Sequence, residues 1–236
     1  MSSSPRIVEV RARILKENDL MARQLRERFA SAGVAVISFV SSPGSGKTTF
    51  LESLISHLGK NWRVAVLVGD LATENDAIRL RRACPRVKQI TTGTVCHLDA
   101  KMIAGAIEGW NLDDIDVMLI ENVGNLVCPS SYDLGESMRV VLLSATEGED
   151  KPLKYPTIFN TADVALITKM DLAAAVEFNR TGVLANIQSV RPGMRVLEVS
   201  AKSDQGMHEA AALIERQIAA GNRAAKTMST PSDSEN

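Results

Sequence analysis

The chain is poor in cysteine, nearly neutral overall and without an apolar run long enough to cross a bilayer, and each shortage removes a class of protein. Three cysteines among 236 residues do not make a disulfide framework, so reduced thiols in the cytosol are the expectation. A formal net charge of −1 leaves no electrostatic footprint for nucleic acid or an anionic membrane surface. A membrane-spanning helix needs about 20 consecutive apolar residues, and no such run is present. Met1 to Ile7 is polar and lacks the apolar centre of a secretory signal. No internal repeat is visible. What is present, 45% hydrophobic and 23% charged residues, suits a globular protein with one large domain.

Apolar periodicity lays out the elements. Residues 11–30 have helical spacing, with Ile14, Met21, Leu25 and Phe29 near one face. Short buried strands are predicted at 34–40, 63–68, 87–90, 115–120, 139–143, 163–167 and 195–199. Helices are predicted at 47–58, 97–107 and 207–219. This alternation implies an α/β fold, a mostly parallel sheet with flanking helices and right-handed crossovers. Residues 1–32 read as a helical extension packed on a domain spanning 33–221. Residues 222–236, rich in Ser, Thr and Lys, read as a disordered tail. In parallel sheets ligands bind at the carboxyl ends of the strands, so the polar residues there are the candidates.

The first strand runs into Ser41-Ser-Pro-Gly-Ser-Gly-Lys47-Thr48, between a strand and a helix as a phosphate-binding loop requires. Gly44, Ser45 and Gly46 bring the backbone close to an anion, and the helix start adds positive potential. Lys47 is expected to reach the β- and γ-phosphates, and the Thr48 hydroxyl to ligate Mg²⁺. Thr49 stands next to the α-phosphate. Ser41 occupies a position where the usual pattern has Gly.

Thr168-Lys169-Met170-Asp171 follows a later strand and resembles the Asn-Lys-x-Asp signature of GTPases. The Asp171 carboxylate matches the N1–H and 2-amino donors of guanine, a pair that adenine lacks. The Lys169 stem is expected along the base plane. Thr168 replaces the usual Asn and removes an amide that normally braces this loop. Ser200-Ala201-Lys202 resembles the second base-contacting loop, with the Ala201 N–H aimed at guanine O6.

Asp70 and Glu121 end two strands, and Glu74-Asn75-Asp76 follow the first. An acid here holds the Mg²⁺ shell or orients the attacking water; the same acids also serve as helix caps or solvated strand ends. Glu121-Asn-Val-Gly124 is similar to an Asp-x-x-Gly switch, with the Gly124 N–H available to a γ-phosphate. Cys96 and His97 are adjacent, and Cys96 and Cys128 each sit just past a predicted strand, so both can lie on the same edge of the sheet. Two thiolates and an imidazole suit Zn²⁺ or Ni²⁺ rather than Mg²⁺. Successive side chains on a strand diverge, so such a site needs a turn, a helix start or a two-fold dimer. Cys84, His57 and His208 read as packing or surface residues.

Ser-Pro-Gly-Ser-Gly-Lys-Thr-Thr, Gly-Asp-Leu-Ala-Thr-Glu-Asn-Asp, Thr-Gly-Thr-Val-Cys-His-Leu-Asp-Ala and Glu-Asn-Val-Gly-Asn-Leu-Val-Cys-Pro occur in this order. Together, over residues 11–219, they resemble the G domain of HypB, the hydrogenase nickel incorporation GTPases. The resemblance implies a P-loop NTPase fold of the SIMIBI class and hydrolysis of GTP to GDP. It also implies a nucleotide-dependent homodimer with Cys96, His97 and Cys128 as its Zn/Ni site. The implied partners are a HypA-type nickel chaperone and the large subunit precursor of a nickel–iron hydrogenase, in the cytoplasm. The Cys-x-x-Cys-Gly-Cys and His-rich stretches of some members are not seen here, so neither a tight N-terminal nickel site nor nickel storage is expected. Alternatives are a UreG-like urease GTPase, a small-molecule kinase and a binding module with structural zinc. The first usually carries Cys-Pro-His, where this chain has Cys128-Pro129-Ser130. Asp171 speaks against the kinase.

Overall fold

The computed structural model describes residues 4–229. Seven strands form one sheet in the order β3-β2-β4-β1-β5-β6-β7, and every pairing is parallel. They are β1 Ala35–Ser41, β2 Val64–Asp70, β3 Val87–Thr91, β4 Val117–Glu121, β5 Met138–Ser144, β6 Val164–Thr168 and β7 Arg195–Glu198. β1, β4, β5 and β6 are buried along their whole length, as continuous apolar runs covered on both faces must be.

Among the described residues eight α-helices flank the sheet: α1 Ser4–Ser31, α2 Lys47–Leu58, α3 Asn75–Leu80, α4 Ala100–Ala106, α5 Lys151–Lys154, α6 Pro156–Thr161, α7 Arg180–Val190 and α8 Met207–Ser229. On one face Phe50, Leu51 and Leu54 of α2 and Met207, Ile214 and Ile218 of α8 pack on Ile37, Phe39 and Leu119. On the other, Leu25 and Phe29 of α1 and Ile103 of α4 pack on Val36, Leu67 and Met118. A third cluster joins Ile158, Phe159, Val183 and Ile187 to β5 and β6.

Three expectations need correction. α4 begins at Ala100 rather than at residue 97, because the Asp99 carboxylate accepts from Met102 N at 2.7 Å and caps the helix there. Cys96 and His97 therefore lie in the turn before it. Ile14, placed on the packed face of α1, is 48% exposed, and the buried side chains described on that helix run from Asn18 to Phe29. α8 continues to Ser229, so the tail assigned to 222–236 is helical through 229. Ala224, Ala225 and Lys226 are good helix formers. Residues 230–236 lie outside the described residues.

Candidate nucleotide and metal sites

The carboxyl ends of β1, β2 and β4 lie side by side, and the turns leaving them build a continuous cleft. From β1 the chain passes through Gly44 (φ 74°) and Gly46 (φ 92°) into α2. Lys47 is buried, and its Nζ donates to Ser41 Oγ at 2.8 Å. Ser41, which departs from the usual glycine, thus supplies the hydroxyl that holds the lysine head. Burial lowers the Lys47 pKa, opposed mainly by the charge of Glu121.

Glu121 ends β4 and is 3% exposed. Its Oε1 accepts from Thr48 Oγ1 at 2.7 Å, and its Oε2 is buried with no hydrogen-bond partner among the described residues. Burial pushes the carboxyl up to about 7, against the pull of Lys47 and Thr48. An unpartnered buried oxygen beside a hydroxyl is a set of hard oxygen donors and fits Mg²⁺. Asp70, at the end of β2, accepts from Leu71 N at 2.7 Å, from Thr73 N at 3.2 Å and from the Thr73 hydroxyl. It holds its own turn while lining the same cavity of about 540 Å³ as Lys47, Thr48, Thr49, Asp76, Glu121 and Gly124. Arg79, which sequence reasoning missed, also lines this cavity. It donates to Thr49 Oγ1 at 3.1 Å and to Glu52 Oε2 at 2.5 Å.

A second cavity of about 210 Å³ shares Gly46, Thr49 and Lys169 with the first. Phe50, Leu172 and Val199 give it apolar walls, and Asp171, Ser200, Ala201 and Lys202 line it as well. Lys169 sits in the left-handed region (φ 59°) and donates from Nζ to Gly44 O at 2.6 Å. The bracing expected to be missing at Thr168 is present: its hydroxyl donates to Ser45 O at 2.6 Å. Ser200 Oγ donates to Asp171 Oδ1 at 2.6 Å, which ties the two loops together.

Cys96 Sγ and Cys128 Sγ are 3.0 Å apart, and the donor atoms of Cys96, His97 and Cys128 all lie within 4.8 Å of one another. The turn before α4 lets two adjacent residues converge where a strand would not. The His97 ring stacks on Tyr132 with centroids 3.9 Å apart, and its buried Nδ1 has no hydrogen-bond partner among the described residues. Burial lowers the His97 pKa, opposed by Asp99. The hydrogen bond from Cys96 raises the Cys128 pKa. Two sulfurs and one ring nitrogen form a soft-to-borderline donor set that leaves a coordination position open. Cys84 is buried in the core with its thiol on Val64 O, as a packing residue.

Amide side chains stitch the two regions together. Asn122 follows Glu121 and is 2% exposed; its Oδ1 accepts from Leu98 N at 3.1 Å and Val123 N at 2.9 Å. Asn125 Nδ2 donates to Cys96 O at 3.2 Å. Gly124 lies on the phosphate loop so closely that a Cβ there would come within 2.9 Å of Pro43 Cα. Leu98 wedges against Gly69, where a Cβ would come within 2.7 Å of Leu98 Cγ. From α1, Asn18 accepts from Ala100 N at 2.8 Å and donates to Asp133 O at 2.9 Å, so it clasps both loops. None of these contacts has a local sequence signal.

The profile of the CobW/HypB/UreG nucleotide-binding domain matches residues 35–198. The hydrogenase maturation factor HypB of Azotobacter chroococcum mcd 1 is 46% identical over 222 residues, covering 94% of this chain and 73% of that protein. The hydrogenase/urease maturation factor HypB of Helicobacter pylori is 43% identical over 210 residues, covering 87% of this chain and 86% of that protein. The crystal structure of HypB from Helicobacter pylori in complex with nickel superposes with a TM-score of 0.82 at 41% identity. That superposition covers 87% of this chain and 97% of that one.

Proposed function

The chain belongs to the CobW/HypB/UreG family, and on that premise we propose that it is a GTP-hydrolysing nickel metallochaperone of hydrogenase maturation. Residues 33–221 are the GTPase unit and α1 is an extension packed on it. The amides of Gly44 to Gly46 and the Lys47 ammonium cradle the phosphates. A polyphosphate brings the negative charge that buried Lys47 lacks. Thr48 and Asp70, with the unpartnered oxygen of Glu121 beside them, would hold Mg²⁺, which would neutralise phosphate charge, and Glu121 would also orient the attacking water. Thr49 contacts the α-phosphate, and the Gly124 N–H faces the γ-phosphate. Asp171 selects guanine through two accepted hydrogen bonds, Lys169 covers the base, and the loop at Ser200, Ala201 and Lys202 closes the other edge. Arg79 is engaged by Glu52 and Thr49, in keeping with slow intrinsic turnover.

Nickel is the cargo, held by Cys96, His97 and Cys128; a HypB relative of known structure was crystallised with nickel. Three donors leave room for a ligand from a second copy or a recipient. A nucleotide-dependent homodimer, a HypA-type chaperone and the large subunit precursor of a nickel–iron hydrogenase are the partners this reading implies, in the cytoplasm. Zn²⁺ is the competing ion for the same donors. The observation that carries the reading is the stitch of Asn122 and Asn125 from the end of β4 to Leu98 and Cys96. A urease is a second candidate recipient, because the Helicobacter pylori relative is named for both enzymes.

The test is GTP turnover of the purified chain together with hydrogenase and urease activities of a strain lacking its gene. Wild type is expected to hydrolyse GTP and to restore hydrogenase activity, and Lys47→Ala to do neither. Turnover equal in Lys47→Ala, or hydrogenase activity unaffected by the deletion, would contradict the reading.

A further inference from the structure

His57, near the end of α2, meets Asp204 and His208, four residues apart around the start of α8. His57 Nε2 is 2.9 Å from Asp204 Oδ1, and His208 Nε2 is 3.9 Å from Asp204 Oδ2. The two imidazoles meet edge to face with centroids 4.8 Å apart, and one donor atom from each of the three residues lies within 4.8 Å of the others. We propose that His57, Asp204 and His208 bind one divalent transition-metal ion of the zinc, cobalt or nickel type, at a site separate from the cysteine site.

The hydrogen-bond pattern around His57 demands a positive centre. Its Nδ1 lies 2.9 Å from Ser53 O, which only accepts, so Nδ1 carries the ring hydrogen. That leaves Nε2 as a lone pair facing a carboxylate oxygen, another acceptor. A proton or a metal ion resolves this conflict. A proton on Nε2 would make a simple ion pair with Asp204 and leave His208 without a role, whereas a metal ion takes the Nε2 lone pair, answers the carboxylate charge and brings in the second ring. The Nδ1–H to carbonyl bond is also the arrangement that orients a metal-ligating histidine. His57 sits in the last turn of α2, where the helix dipole favours a cation.

The geometry needs little adjustment. Donors each about 2.1 Å from an ion sit roughly 3.0–3.4 Å apart, close to the His57–Asp204 separation. His208 is 88% exposed on its side chain and free to turn inward. Two imidazoles and one carboxylate favour borderline transition ions over Mg²⁺ and leave several positions open. Asp204 follows Ser200, Ala201 and Lys202 closely, so an ion here pins that loop to α2.

The site uses no residue of the nucleotide or nickel sites, so its test stands apart from the function proposed above. The full chain carrying Cys96→Ser, His97→Ala and Cys128→Ser is titrated with Co²⁺, followed by visible absorption and by native mass. One Co²⁺ per chain is expected, weakened at least about tenfold by adding His208→Ala. The melting temperature without metal is expected to stay the same, because His208 is exposed. If the triply substituted chain does not fold, wild type is titrated instead, and two ions per chain are expected to fall to one in His208→Ala. No Co²⁺ uptake up to millimolar concentration, or uptake equal with and without His208→Ala, would reduce the cluster to an ion pair and overturn the proposal.

Discussion

Asn18 uses both ends of its side-chain amide, one on Ala100, where α4 starts just after the turn that carries Cys96 and His97, and the other on the loop that carries Cys128. Both partners are backbone groups, so an apolar replacement leaves a buried donor and acceptor unsatisfied. Asn18→Ala is expected to cost about 1–3 kcal/mol of stability and to weaken nickel binding by about tenfold or more. A thermal melt and a nickel titration check both; unchanged affinity would mean the two loops hold their spacing without α1. In the proposed function Asp171 acts at the same scale on the base. Asp171→Asn turns one acceptor into a donor, and discrimination of GTP over ATP is expected to fall by at least about 100-fold in a competition binding assay. Asp116 tests the electrostatics away from any site. The Arg63 hydrogen bonds hold its carboxyl below the usual value. Its contribution is therefore full above about pH 4 and is lost as pH falls through the depressed value. Asp116→Asn is expected to cost about 1–2 kcal/mol at pH 7 and progressively less as pH falls through the depressed folded-state value, by denaturant titration at each pH.

Among the elements, the strands and the phosphate loop were legible because their signals are local. A buried parallel strand is a short apolar run, and Gly44, Gly46 and Lys47 declare the turn that follows one. The two loops that line the smaller cavity were legible in the same way, through Lys169, Asp171 and Ser200. The start of α4 was not, because Asp99 caps a helix only if the chain turns there, and the apolar residues Leu98 and Ile103 fit either start. Thr168 illustrates a different limit. Its type was visible and its bracing role was not, since Ser45 is more than a hundred residues away. The approach of His57 to Asp204 and His208 was invisible for the same reason. Gly69, inside β2, carries no local mark of its close contact with Leu98. Gly69→Ala is expected to cost about 1–3 kcal/mol and to displace Leu98 with the turn holding Cys96 and His97. Nickel affinity should then fall while far-UV circular dichroism keeps the sheet signal. A melt and an affinity both equal to wild type would show that Leu98 has room to move.

For the whole molecule, the sheet brings phosphate chemistry and a thiol cluster to neighbouring strand ends, and buried amides join them. The phosphate loop touches Gly124, Asn122 reaches Leu98, and Asn125 holds Cys96. A nucleotide shifts metal affinity only through its different free energies for two arrangements of this connection. Nickel affinity measured with GDP and with a non-hydrolysable GTP analogue, in wild type and in Asn122→Ala, tests the linkage most directly. Wild type is predicted to differ between nucleotides by about 5-fold or more, and Asn122→Ala to lose most of that difference. Equal affinities in wild type, or an undiminished ratio in Asn122→Ala, would contradict it.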